Sequence, residues 1–133
     1  MTHARRIGAF VLTAASIVLF TGCGTTPDLY ADLQGEQDSQ DELPQLEDDA
    51  YESVDVASSR YIGEHDGTSI WLAQGLEESS LCLVADAGEQ WVVGCSGGGP
   101  LNVGGVVGEF EVLPDGMPTP EGATKLSDNV YAW

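Results

Sequence analysis

Basic residues are scarce in this chain, and half of them lie at its beginning. The sequence has 22 aspartates and glutamates but only four lysines and arginines. Beyond residue 22, Arg60 and Lys125 are the only bases against all 22 acidic side chains, a net charge of −20. Such a chain repels nucleic acid and anionic lipid head groups, so neither is expected as a partner. The acidic surplus either keeps the protein soluble or attracts cations and basic partners.

Histidine is equally scarce, which limits the chemistry available. His65 is the one histidine after residue 22, and no second His or Cys accompanies it as a metal ligand. Asp48, Asp49 and Asp55 lack the glycine and the closing glutamate of a calcium loop. We therefore predict no metal, no cofactor and no catalytic residues.

No apolar run is long enough to span a bilayer comfortably. Arg5 and Arg6 precede the fourteen-residue apolar run 7–20, a layout typical of a secretory signal peptide. Phe20, Thr21, Gly22 and Cys23 follow at its end, and this stretch resembles the lipobox of bacterial lipoproteins.

The lipobox resemblance implies that residues 1–22 are removed and that the Cys23 thiol is lipidated. The protein would then be held on the outer, extracytoplasmic face of the cell membrane, since two acyl chains anchor stably where one does not. An uncleaved N-terminal anchor and ordinary secretion are the alternatives. The arginine pair leaves the export route open.

Cysteine is also rare, with three in the chain. If Cys23 carries lipid, Cys82 and Cys95 remain as one pair in an oxidising compartment. The sequence therefore predicts a Cys82–Cys95 disulfide, with two buried, reduced thiols as the alternative.

Residues 23–53 are predicted to form an acidic, disordered spacer. Gly24–Ser59 contains eleven acidic residues, no lysine or arginine and few large apolar residues, so little apolar surface is available to offset chain entropy. A flexible linker of this length would span roughly 30–35 Å and lift the folded part off the membrane. At its end, Asp55 is expected to cap a helical turn over Val56–Ser59.

Residues 54–133 are predicted to form one small antiparallel β domain of five to seven strands, arranged as a sandwich or barrel. Asp66-Gly67 between strand-like runs predicts a hairpin with Tyr61 opposite Leu72 and Ile62 opposite Trp71. No stretch after residue 60 has a long helical period.

The second predicted hairpin joins Leu81–Ala85 to Trp91–Cys95, with Asp86 facing Trp91 and Cys82 facing Cys95. Later strands are expected at Leu101–Val103, Glu109–Leu113, Thr124–Leu126 and Asn129–Trp133, with a loop at Pro114–Gly122.

The folded part resembles the C-terminal domains of small actinobacterial lipoproteins of unknown function. The shared features are the run Arg60–Glu64, the hairpin between the two cysteines, the glycine run after it and the loop Pro114–Gly116. The resemblance implies no activity.

The candidate binding face consists of aromatic residues, namely Trp133, Tyr131 and Trp71, which would contact an envelope protein or ligand if exposed. Glu109 and Glu111 share a strand face and are interpreted as solvated. A non-catalytic binding protein is the leading hypothesis, and an inhibitor acting through the loop Pro114–Pro120 is the second. A hydrolase is the third, because Gly94–Leu101 resembles the nucleophile loop of chymotrypsin-like proteases, with Cys95 in place of its aspartate.

Overall fold

The computed structural model describes residues 26–133 and contains two four-stranded antiparallel sheets. The first sheet has the order β1-β2-β3-β4, with β1 (Arg60–His65), β2 (Thr68–Gln74), β3 (Leu81–Asp86) and β4 (Trp91–Ser96). The second has the order β5-β6-β8-β7, with β5 (Leu101–Gly105), β6 (Gly108–Val112), β7 (Thr124–Lys125) and β8 (Val130–Ala132). Three short 3₁₀ turns at Thr26–Leu29, Ala31–Leu33 and Val56–Ser58 are the only helical elements among these residues. The all-β prediction is confirmed, although the eight strands of the described residues exceed the predicted five to seven.

The first hairpin turns at Asp66-Gly67, as predicted, because both residues adopt the positive φ angles of a tight two-residue turn. Its predicted register holds for the three pairs next to the turn, up to Gly63 and Ile70, and is wrong beyond them. Tyr61 lies opposite Trp71, and a bulge between Tyr61 and Gly63 accounts for the one-residue shift. Gly63 permits the bulge because its φ of 146° lies in a region that other residues rarely adopt.

The second hairpin has the predicted register. Asp86 pairs with Trp91 and Cys82 pairs with Cys95, and the two cysteines form a disulfide. The disulfide closes a loop with a sequence separation of 13 residues, which contributes about 3 kcal/mol in the chain-entropy model.

The core lies between the two sheets and is built from alternate residues of their strands. The first sheet contributes Ile70, Leu72, Leu81, Leu83 and Ala85, and the second contributes Leu101, Val103, Phe110, Val112 and Val130. Burying each large apolar side chain contributes roughly 1.5–3 kcal/mol.

Two close contacts bring the sheets together at their margins. A Cβ atom at Gly94 would lie 2.7 Å from Val103 Cγ2, so this glycine lets β4 approach β5. The hydroxyl of Thr68 donates to the carbonyl of Val107 at 2.8 Å, which joins the turns of the β1–β2 and β5–β6 hairpins.

Residues 28–55, here called the strap, are not the disordered spacer that composition predicts. Tyr30 and Leu33 are 2% and 4% exposed and belong to the core between the sheets. Leu43, Tyr51 and Val54 pack on the outer face of the first sheet, around Cys82. The prediction of disorder is wrong because these few apolar residues are spaced so that they pack against both sheets.

Acidic side chains of the strap accept hydrogen bonds from the domain. The Asp32 carboxylate accepts from the backbone N–H of Asn129 at 2.9 Å and from the Ser127 hydroxyl. In return, the Asp115 carboxylate accepts from the backbone N–H of Ala31 at 2.9 Å. Carboxylates that accept such bonds hold the strap to the loops around the second sheet.

The strap also binds the edge and outer face of the first sheet. The Asp41 carboxylate accepts from the backbone N–H of Tyr61 at 2.7 Å, and the Trp71 indole N–H donates to the Gln40 carbonyl at 3.2 Å. At its end, the predicted cap is confirmed, since the Asp55 side chain accepts from the backbone N–H of Ala57.

Candidate functional site

The outer face of the second sheet carries a half-exposed tryptophan beside two carboxylates. Side chains alternate along β6, so Val112 and Phe110 point into the core while Glu109 and Glu111 point outward. Trp133 follows β8, and its backbone N–H donates to the Glu109 carbonyl at 3.1 Å. This bond extends the β6–β8 pairing by one residue and sets Trp133 across from Glu109.

A shallow hollow of about 450 Å³ lies on this face. Glu109 lies between Trp133 on the β8 side and Gly104 on the β5 side. Because Gly104 has no side chain, the β5 side of the hollow is open. Asn102 lies opposite Glu111 and completes that side. Trp133 is 45% exposed. These residues, with Glu109 and Glu111, are called the Trp133 hollow below.

Glu109 and Glu111 have no countercharge among the described residues. The guanidinium of Arg60 donates to the carbonyls of Gly35, Ser58 and Ser59. The ammonium of Lys125 lies 3.7 Å from the Asp128 carboxylate. Because both bases of this part of the chain are engaged elsewhere, the two glutamates remain accessible as unpaired anions.

The structure separates the three aromatic residues of the predicted binding face. Trp133 is exposed, as a binding residue must be, whereas Tyr131 is 2% exposed and Trp71 is 8% exposed. Tyr131 lies on the same sheet as Trp133 but forms one wall of a separate hollow beside Met117. Trp71 lies on the first sheet, beneath the strap. Tyr131 and Trp71 are therefore not available as an exposed face.

The loop proposed for an inhibitor lies beside the strap. The backbone N–H of Asp115 donates to the Leu29 carbonyl at 2.9 Å, which holds the beginning of the loop. Met117 is half-exposed at its tip, and the loop forms one side of a hollow of about 470 Å³ shared with Ala31 and Lys125.

Ser96 and His65, the serine and histidine that a serine-protease mechanism would require, are far apart. His65 lies at the end of β1, at one edge of the first sheet, and Nε2 is 3.4 Å from the Asp66 carboxylate. Ser96 lies at the end of β4, the opposite edge, where it pairs with Leu81. The antiparallel pairing of β2 with β3 also puts His65 and Ser96 at opposite ends of the strands of the first sheet. They therefore do not form a nucleophile–base pair.

Two tyrosines of the strap have raised pKa values. Burial, and secondarily the charge of Asp86, raises the pKa of Tyr51 to about 12. Its hydroxyl donates to the Pro44 carbonyl at 2.7 Å. Burial and the charge of Asp115 likewise raise the pKa of Tyr30. Both hydroxyls stay protonated in the docked strap at neutral pH.

Comparisons of the chain with protein-family models, curated proteins and solved structures found no match. Within residues 26–133, no helix has the length and apolar character needed to cross a bilayer. In the same part of the chain, no three His, Cys, Asp or Glu side chains are grouped as ligands for a metal ion. The predicted signal peptide and Cys23 lie outside the described residues. Residues 26–133 form a two-sheet β domain with the Cys82–Cys95 disulfide and a strap that packs on both sheets.

Proposed function

We propose that this protein is a lipid-anchored, extracytoplasmic binding protein, and that its domain binds an envelope partner through the Trp133 hollow without catalysis. The observation that carries the proposal is the half-exposed indole of Trp133 beside an open hollow. Tryptophan is enriched at binding hot spots because it supplies a large contact area with little loss of conformational entropy.

The proposed anchor is Cys23, on the lipobox resemblance of the residues before it. The Cys82–Cys95 disulfide is consistent with an oxidising compartment. Because the strap is docked from about residue 28, roughly five residues would connect the acyl chains to the folded part. At about 3.5 Å per residue, they reach at most about 17 Å. The domain would thus be held close to the membrane surface and not lifted away by a long spacer.

The proposed attachment and the Trp133 hollow lie toward opposite ends of β6. The carbonyl of Leu29 accepts a hydrogen bond from the backbone N–H of Asp115, just beyond the end of β6 at Val112. Glu109 and Trp133 lie toward the other end of β6, near the β5–β6 turn. An anchor at Cys23 would therefore join the domain at the end of β6 farther from the hollow, which leaves the hollow accessible to a partner.

Site-specific photo-crosslinking in intact cells tests this proposal. A photoreactive amino acid is placed at Asn102, at Met117 and at Leu76, which are all exposed but lie on different parts of the surface. Asn102 lines the hollow, so its replacement leaves Trp133 in place. We expect a discrete crosslinked product from position 102 and none from position 76. Equal products from all three positions, or none from 102, would refute a binding site at the hollow.

Position 117 tests the second candidate function, inhibition of an extracytoplasmic enzyme. Its support is the half-exposed Met117 on a loop held at its base by the Asp115–Leu29 hydrogen bond. A product from position 117 without one from 102 would favour the inhibitor.

A further inference from the structure

The two unpaired carboxylates beside Trp133 indicate the chemical class of the partner. We propose that the Trp133 hollow binds a basic segment of a partner protein, with an arginine or lysine side chain over the indole and between Glu109 and Glu111. This inference rests on the proposed function, because it assigns a ligand class to the same site.

The spacing of Glu109, Glu111 and Trp133 fits a single cation. Glu109 and Glu111 are two residues apart on one strand, so their side chains leave the same face about 7 Å apart. Glu109 lies across from Trp133, and directly opposite side chains in an antiparallel pair have Cβ atoms about 5 Å apart. A cation in the hollow would therefore meet an aromatic ring and a carboxylate together. Cation–π attraction is strongest for tryptophan, and arginine is its most frequent partner.

Binding of a partner at the hollow would desolvate Glu109 and Glu111. A partner that covers this face removes water from both carboxylates, and burying an unpaired carboxylate is costly. Arg60 and Lys125 are engaged elsewhere and do not offset that cost. A basic partner brings its own countercharge, whereas a neutral ligand such as a glycan does not. The net charge of −18 for the whole chain also attracts a basic segment over distance.

The β5 side of the hollow is open because residue 104 is a glycine. A Cβ atom at Gly104 would meet only Glu109 Cγ, at the ordinary contact distance of 3.8 Å, and the backbone there does not require glycine. The fold therefore has room for a Cβ atom at position 104, and we expect a larger side chain there to extend into the hollow. The absence of a side chain leaves space beside Glu109 for a long, flexible base.

The test uses a capped peptide with two arginines as the probe, and the same peptide with citrulline in place of arginine as its uncharged control. Binding to residues 24–133 is followed through the indole N–H resonances of Trp133, Trp71 and Trp91. We expect the arginine peptide to shift the Trp133 resonance and to leave the other two unchanged. The citrulline peptide should bind at least roughly fivefold more weakly, because it lacks the charge.

Matched variants separate the site from general electrostatic attraction. Glu109→Gln with Glu111→Gln should weaken peptide binding by roughly threefold to tenfold. Glu77→Gln with Glu78→Gln removes the same charge from an exposed loop of the first sheet, and should change the affinity by less than about twofold. Gly104→Val should abolish the Trp133 shift while leaving the melting temperature within a few degrees.

Three results would overturn the inference. These are equal weakening by both glutamine pairs, equal binding of the citrulline peptide, and no shift of Trp133 with the arginine peptide. If a neutral envelope oligosaccharide shifts Trp133 where the arginine peptide does not, the ligand class is wrong while the site remains. If crosslinking from position 102 also fails, the proposed function is refuted as well.

Discussion

Replacing Leu33 with alanine distinguishes a docked strap from a disordered one. Leu33 is 4% exposed and packs in the core between the sheets. Truncating a buried leucine to alanine costs about 2–5 kcal/mol, because apolar contacts are lost and a cavity remains. A domain of this size has a total stability of about 5–15 kcal/mol. Since about 1 kcal/mol shifts the melting temperature of such a domain by roughly 4–8 °C, Leu33→Ala should lower it by about 10 °C or more.

Leu29→Ala is the matched control. It removes the same atoms from the same strap, but Leu29 is 53% exposed, so its cost should stay within about 0.5 kcal/mol. Thermal and urea unfolding of residues 24–133 would measure both variants. If Leu33→Ala melts at the same temperature as Leu29→Ala and the unchanged protein, the strap does not contribute to the fold in solution and is not docked as described.

Three further predictions concern the disulfide, the strap and the anchor. Replacing Cys82 and Cys95 with alanine should lower the free energy of unfolding in urea by about 3 kcal/mol; no change would show that the bridge does not constrain the unfolded chain. The folded-state pKa of Tyr51 is raised from 10.0 to about 12, so its contribution to stability is present below pH 10 and is lost as pH rises toward 12. Tyr51→Phe should reduce the loss of stability across that window, and a loss of the same size would contradict the assignment. Cys23→Ser should shift the protein from the membrane fraction to a soluble or precursor form, and unchanged fractionation would contradict lipidation.

The parts of the fold that the sequence predicts are those set by neighbouring residues. Asp66-Gly67 determines the first turn, and the spacing between Cys82 and Cys95 leaves one register that pairs them across β3 and β4. The bulge before Gly63 was missed because a glycine within a strand permits a bulge without requiring one. Its presence moves Tyr61 to the position opposite Trp71, where the two rings lie 5.2 Å apart.

Composition does not predict the docked strap, because an average over the whole segment hides the few apolar residues that become buried. Its acidic content indicates disorder, yet Tyr30 and Leu33 bury almost completely. Their sites are formed by strands and loops far along the chain, including Asn129, which is fully buried and accepts a hydrogen bond from the backbone of Asp32. Such long-range partners leave no periodic signal in the strap itself.

The candidate site was predicted in part. Trp133 was chosen as a candidate for exposure, and it is half-exposed. Its proximity to Glu109 depends on β8 returning across the loop Pro114–Gly122 and pairing with β6, between β6 and the edge strand β7. A loop of that length does not fix the register of the strands that it joins, so the two glutamates were interpreted as solvated surface residues.

Two groups of acidic residues have different consequences. Asp32, Asp41 and Asp115 accept hydrogen bonds from backbone N–H groups, so their charges hold the strap in place. Glu109 and Glu111 make no such bonds among the described residues, so a neutral replacement of the same shape removes none. Replacing the first group should therefore lower stability, and replacing the second should lower binding alone. This separation makes the proposed site testable, because a loss of affinity in the glutamate variants cannot then be attributed to a loss of fold.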